Sequence, residues 1–169
     1  MMELILLILF LFIVIQRLME LVVARSNRKW MLQRGAIEYG EGHYALFIVL
    51  HVSFFVSILL ESFSITYPYV PLFWPAFIVF AGLQVLRIWC MTTLGRRWNT
   101  RILVLPDEKP VQKGLYKYIS HPNYVIVFFE LIVIPVMFQA YVTALVFPAL
   151  HLLVLRVRIP VEEKALLKS

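Results

Sequence analysis

From Pro122 to Leu155 the chain reads PNYVIVFFELIVIPVMFQAYVTALVFPALHLLVL. As one helix this run would measure roughly 50 Å, at about 1.5 Å per residue, against a hydrocarbon core of roughly 30 Å. Pro135 and the polar stretch Gln139–Tyr141 offer a turn within it. The run therefore reads as a tight hairpin of two short or tilted helices. Three further apolar segments precede it, about Leu4–Val23, Tyr44–Leu60 and Pro71–Leu94. The fold class expected is all-α: a polytopic membrane bundle of about five transmembrane segments, the last two forming the hairpin.

Composition agrees. Of 169 residues, 62% are hydrophobic and 15% charged, and the mean hydropathy is +0.83. Soluble domains are about half apolar, with about a quarter of residues charged. One domain is expected, residues 1–169, with a three-span part (1–95) and a second part (96–169) that carries the polar loop, the hairpin and the C-terminal helix. The first apolar run is too long for a signal-peptide core and lacks a basic leader, so it reads as a retained span. Cys90, the single cysteine, lies in an apolar run and reads as a packing residue.

The net charge of +6 suggests topology rather than nucleic-acid binding. Arg25, Arg28, Lys29 and Arg34 follow the first span. Arg96, Arg97, Arg101, Lys109, Lys113 and Lys117 follow the third, and Arg156, Arg158, Lys164 and Lys168 follow the hairpin. The connection of about Glu61–Val70 and the hairpin tip carry no Lys or Arg. By the positive-inside rule the N-terminus is outside and the C-terminus cytosolic, in a multi-pass protein of the cell membrane.

Two polar stretches on the basic side have the residue types that chemistry needs. The first runs through LPDEKP and KGLYKYISHPNY, the latter Lys113–Tyr124. Pro122 suits the first position of a helix, with Ser120 or His121 at the cap. A helix N-terminus at the membrane surface presents free N–H groups to a carboxylate or phosphate. His121 adds a donor, and Tyr116, Tyr118 and Tyr124 add aromatic faces. An interfacial aromatic belt with a helix cap is the plainer reading of the same residues.

The second stretch is RVRIPVEEKALL, Arg156–Leu167. Pro160 lacks an N–H, so the last membrane helix must kink or stop there. If it stops, a new short helix carries Glu162 and Glu163 in its first turn; if it kinks, Arg158 and Glu162 face the same way at i, i+4. A surface anchor with a solvated ion pair is again the plainer alternative.

Ionisable residues inside the spans cost several kcal/mol unless paired or wetted. Arg17 and Glu20 are spaced to pair, and Arg87 is the candidate partner for Glu130. RGAIEYGEGHY, Arg34–Tyr44, reads as a close-packed loop. His43 and His51 make no metal spacing, and CxxC, HExxH, P-loop and GxGxxG patterns are all missing, so no metal is expected.

GLYKYISHPNY, followed by an apolar hairpin and RIPVEE, resembles the isoprenylcysteine carboxyl methyltransferase family. The family pattern is met by Gly114, Tyr116, His121, Pro122, Tyr124, Arg158, Glu162 and Glu163, within roughly Arg96–Leu167. The resemblance implies an integral-membrane O-methyltransferase using S-adenosyl-L-methionine on a lipophilic acceptor that enters from the bilayer. It implies that Glu108, Lys109, Pro110, Val111, Tyr116, His121, Pro122, Asn123, Tyr124, Glu162 and Glu163 bind the cofactor. Arg158 and Glu162 are the implied catalytic residues, Arg158 orienting the acceptor oxygen. QRLMELVVARSN, RGAIEYGEGHY and RRWNTRI resemble a bacterial branch associated with long-chain alkylpyrones and related polyketide lipids.

Two departures qualify the carry-over. Ser120 stands where the family usually has arginine, so a charge beside His121 is lost, and no aromatic Tyr-x-x-Tyr tail follows the glutamates, which weakens the carry-over of protein-substrate recognition but leaves an isoprenylcysteine-type carboxylate among the acceptors. The alternatives are a membrane reductase using a nicotinamide cofactor on lipid double bonds, or a non-enzymatic membrane subunit.

Overall fold

The structure is a computed structural model describing residues 2–62, 71–106 and 108–167. Most of the expected lysine-free connection after the second span, together with Asp107, Lys168 and the side chain of His43, lies outside the described residues.

Five helices form in chain order: α1 (Met2–Leu32), α2 (Glu41–Ser62), α3 (Phe73–Leu94), α4 (Pro122–Met137) and α5 (Tyr141–Leu166). Four are long and apolar enough to cross a membrane, and α4, with 16 residues, is shorter. Their outward faces expose Leu7, Phe12 and Ile15 on α1, Val49 and Val52 on α2, Ile78 and Val85 on α3, and Leu145 on α5. Apolar surface this continuous suits lipid, where a helix satisfies its backbone internally. The inward faces meet in one core containing Ile13, Phe54, Ile58, Phe80, Leu131, Ile134 and Met137.

The hairpin turns where the sequence placed it. Gln139 takes a left-handed φ of 57°, and the N–H groups of Phe138 and Ala140 donate to the Pro135 carbonyl. Proline's fixed geometry and one left-handed residue reverse the chain within a few residues. The two arms are unequal: α4 has 16 residues and α5 has 26, because α5 continues past the end of the apolar run. Its N-terminus is capped from α2, since Glu61 accepts from the N–H groups of Val142 and Thr143 at 2.8 and 2.9 Å. A carboxylate there satisfies helix donors left over by the α-helical pattern.

At the other end of the bundle one outcome departs from the sequence reading and another decides between its alternatives. The chain is not wholly helical: β1 (Ile37–Tyr39) pairs antiparallel with β2 (Ile102–Val104), Glu38 opposite Leu103. And α5 does not stop at Pro160 but runs on to Leu166. The two outcomes are connected. Ile102 and Val104 of the strand pack against Ala165, Val161 and Leu166 of the helix, so tertiary packing holds the turn that proline weakens. Arg28 and Arg101 grip Glu38 beside them. Burial pushes the Glu38 carboxyl up, but the hydrogen bonds and charges of Arg101 and Arg28 outweigh it and hold it below the usual carboxylate range.

Candidate functional site

With α5 unbroken, Arg158 and Glu162 lie on one face, one turn apart, and both line a cavity of about 800 Å³. That volume is within the range of small-molecule sites, roughly 300–1,000 Å³. The cavity lies at the end of the bundle bearing the paired strands β1 and β2, with Leu105 and Glu108–Gln112 in its wall. It extends between the helices to Phe47, Ile48 and Val52 of α2, the last two exposed on the lipid-facing surface.

Local structure sets the polar wall. Gly114 opens a short 3-10 turn, Gly114–Lys117, at φ +55°, and a Cβ there would meet Thr93 Oγ1 at 2.8 Å. Glycine is thus required twice, for conformation and for close approach. The turn sets Tyr116 against Cys90. Burial, then Cys90 and the negative charge of Glu162, push the Tyr116 phenol above its ordinary range. Pro122 occupies the first turn of α4 with His121 at the cap position, though no cap side chain bonds there.

The two polar stretches meet through Tyr124. Its hydroxyl donates to Glu162 Oε2 and accepts from Arg158 Nε at 2.6 Å. Arg158 also donates through Nη2 to the Thr100 carbonyl at 2.8 Å, and its guanidinium lies 4.7 Å from the Phe47 ring centre. His121 stacks on Tyr124, with ring centres 5.4 Å apart. Its Nδ1 is 3.8 Å from Glu162 and its Nε2 3.5 Å from Glu163. Among the described residues, His121 Nε2 and Asn123 Oδ1 are buried without a hydrogen-bond partner. Buried polar atoms are normally paired, and these two sit where a polar ligand would meet them.

Of the residues singled out in the sequence, Glu108, Lys109, Pro110, Val111, Tyr116, His121, Asn123, Tyr124, Arg158, Glu162 and Glu163 line this cavity. Pro122 is outside that lining: it is fully buried at the start of α4 and shapes the turn from behind. Glu108 is also engaged elsewhere, in an ion pair with Arg97 at 2.5 Å. Sequence reasoning gave no site role to Tyr44, Phe47, His51, Thr100 and His151, which line the same cavity. The two histidines had a signal, each being a lone polar residue in an apolar run.

Ionisable groups within the spans form a single network rather than two pairs. Arg87 grips Glu20 through Nε and Nη2, at 2.6 and 2.5 Å, and Glu130 through Nη1 at 3.1 Å. Arg17 bridges the same two carboxylates at 3.0 and 2.8 Å. Arg17, Glu20 and Arg87 reach the cavity wall.

Comparison with known proteins points the same way. The family model described as the isoprenylcysteine carboxyl methyltransferase (ICMT) family matches residues 74–168. A Bacillus subtilis (strain 168) protein described as "Uncharacterized protein YpbQ" is 41% identical over 156 residues, 91% of this chain and 92% of its own length. A Haemophilus influenzae protein described as "Uncharacterized protein" is 30% identical over 153 residues, 89% of this chain and 88% of its own. No solved structure matches.

Proposed function

The chain belongs to the isoprenylcysteine carboxyl methyltransferase family, and from that premise we propose that it methylates an oxygen of a membrane lipid inside the cavity around Tyr124. Membership carries use of S-adenosylmethionine and a lipophilic acceptor in general. It gives nothing to the reductase or helper-subunit alternatives. The acceptor in this reading is a long-chain alkylpyrone-like polyketide lipid, with an isoprenylcysteine-type carboxylate as the second choice. The basic end of the bundle, and with it the cofactor side of the cavity, faces the cytosol, and the N-terminus lies outside. The whole chain acts as one domain, residues 96–169 supplying most of the polar wall.

One observation carries the reading: the Tyr124 hydroxyl ties Arg158 and Glu162 of α5 to the His121–Tyr124 turn of α4 around a single cavity. The residues present fit the cofactor. Among the described residues, His121 Nε2, a donor or acceptor by tautomer, and Asn123 Oδ1, an acceptor, are buried without hydrogen-bond partners, suited to its amino-acid end. The faces of Tyr116 and Tyr124 suit a sulfonium cation. Glu162, with Oε1 left over from its bond to Tyr124, accepts from a hydroxyl or amine, and Glu163 is beside it. Residues Glu108–Val111 close the cytosolic side.

When bound, S-adenosylmethionine supplies an electrophilic methyl group on sulfur. Arg158, held by the Thr100 carbonyl and the Tyr124 hydroxyl, orients the acceptor oxygen in line with that methyl. A carboxylate or acidic enol is already ionised near neutral pH, so alignment and exclusion of water provide most of the rate. The lipid tail leaves through the apolar opening beside Ile48 and Val52. The test is incubation of purified protein with labelled S-adenosylmethionine and a lipid extract of its source cell, with mass analysis of the extract. Label in a lipid is expected. Absence of both labelled lipid and S-adenosylhomocysteine binding would defeat the assignment.

A further inference from the structure

Two turns of α5 away from Arg158, the cavity wall contains a pair of histidines with no role in the transfer described above. His151 is 1% exposed. Its Nε2 lies 3.3 Å from the Tyr124 carbonyl oxygen, and its ring meets the Phe47 ring edge-on at 6.3 Å. His51, one turn beyond Phe47 on α2, places Nδ1 at 2.8 Å from the Phe47 carbonyl oxygen. Both line the cavity, and each is joined to Phe47, His51 through the backbone and His151 through its ring.

A carbonyl oxygen only accepts, so the proton is on Nε2 of His151 and on Nδ1 of His51. In a singly protonated imidazole the other nitrogen then presents a bare lone pair. For His151 that nitrogen, Nδ1, is buried with no partner among the described residues. An unpaired buried acceptor costs about 1–3 kcal/mol. The guanidiniums of Arg17 and Arg87, which line the same cavity, are held by Glu20 and Glu130. Phe47, Val52, Phe55 and Val127 make the surrounding wall apolar. At this depth the cavity offers hydrogen-bond acceptors within hydrocarbon. A carboxylate, a ketone or a plain alkyl chain brings no donor to meet them; an undissociated hydroxyl does.

We propose that His151 and His51 form a hydroxyl-docking subsite, selecting lipid acceptors that carry a neutral O–H beside their alkyl chain. This rests on reading the cavity as the acceptor site, and it narrows the acceptor class to long-chain ring lipids that carry a neutral hydroxyl besides the ionised oxygen that takes the methyl. The test compares binding of 3-pentadecylphenol with binding of its methyl ether, which keeps the shape and lacks the donor. Both are titrated by calorimetry into the full-length protein in detergent, alongside S-adenosylhomocysteine.

The wild type is expected to bind the phenol about tenfold more tightly than the ether, the worth of one buried hydrogen bond. In His151→Leu the ratio falls to within about twofold, with affinity for S-adenosylhomocysteine retained. His51→Leu, a milder change at the less buried member, lowers the ratio to about threefold and stands in if the first variant does not fold. A wild-type ratio near one, no binding of either lipid, or a ratio preserved in the variant that folds overturns the subsite. A tenfold ratio in a wild type that does not bind S-adenosylhomocysteine supports the subsite and instead breaks the methyltransferase reading.

Discussion

Two polar regions lie within this bundle, and they are built on opposite terms. The network of Arg17, Glu20, Arg87 and Glu130 is closed: every guanidinium and carboxylate in it is paired with another member, and Gln84 adds a further donor to Glu130 at 2.8 Å. It is electrically neutral and joins α1, α3 and α4. The Tyr124 region is open: among the described residues two of its buried polar atoms lack hydrogen-bond partners, and Glu163 is more than half exposed. A closed network in lipid is what tethering helices requires. An open one stores unmet hydrogen-bonding capacity, which a ligand can complete. Ionisable residues in a membrane are therefore better sorted by whether their partners are complete than by their depth.

That contrast breaks first at Arg87. Arg87→Met leaves Glu20 and Glu130 facing each other across the core with only Arg17 between them. Removing one partner of a buried ion pair costs about 3–5 kcal/mol, so the variant is expected to lose most of its cooperative thermal unfolding transition in detergent. A variant that unfolds like the wild type would mean that the network does not hold the bundle together. Arg158→Ala should behave in the opposite manner. The fold survives, because α4 and α5 also pack through Leu131, Ile134, Met137 and Phe147 in the apolar core. Turnover of a lipid acceptor falls by about 10²–10³-fold, the usual loss when an oriented charged donor is removed from a reacting oxygen, while S-adenosylhomocysteine affinity changes less than about threefold. Equal losses in turnover and cofactor affinity would move Arg158 from the acceptor to the cofactor.

The sequence made the open region more legible than the closed one. SHPNY and RIPVEE stood out because polar, aromatic and proline residues cluster there between apolar runs, and the two clusters do meet. The pairings Arg17–Glu20 and Arg87–Glu130 were legible from spacing and depth, but their fusion into one network was not, since it depends on how α1 packs across α3. The strands Ile37–Tyr39 and Ile102–Val104 escaped notice because three residues carry too little alternation to register as a pattern. Missing them concealed the reason that α5 survives Pro160: packing partners 60 residues away in sequence override a local helix breaker. His51 and His151 were visible as lone histidines, but their shared cavity belongs to tertiary structure alone.

Gly114 tests the open region from its supporting side. Gly114→Ala must hold a left-handed φ and push its Cβ into Thr93 Oγ1. Left-handed conformation costs an L-residue about 1–2 kcal/mol, and the crowding adds to it. The unfolding midpoint should fall modestly, and cofactor affinity should fall with it, because Tyr116 is in the same turn. A lowered midpoint with unchanged cofactor affinity would separate this turn from the cofactor wall.

The smallest effect is expected at Glu38, the one carboxylate that Arg28 and Arg101 share outside the spans. Its folded pKa lies below the ordinary carboxylate value, so the folded state binds this proton less readily than the unfolded chain does. The stabilisation is fully present above the unfolded value of about 4.3 and is lost as pH falls through the lower folded value. Glu38→Gln cannot titrate, so the gap in unfolding midpoint between wild type and variant should be constant near neutrality and close below about pH 4. Because both arginines are partly exposed, the gap itself should correspond to about 1 kcal/mol or less. Both strands and the last turns of α5 share this anchor, so the same titration should loosen the C-terminal turns first. Amide exchange at Val161–Leu166 that quickens below about pH 4 in the wild type, and does not change over that range in Glu38→Gln, would place the pairing upstream of Glu162. Identical exchange in both proteins would confine Glu38 to its own strand pair.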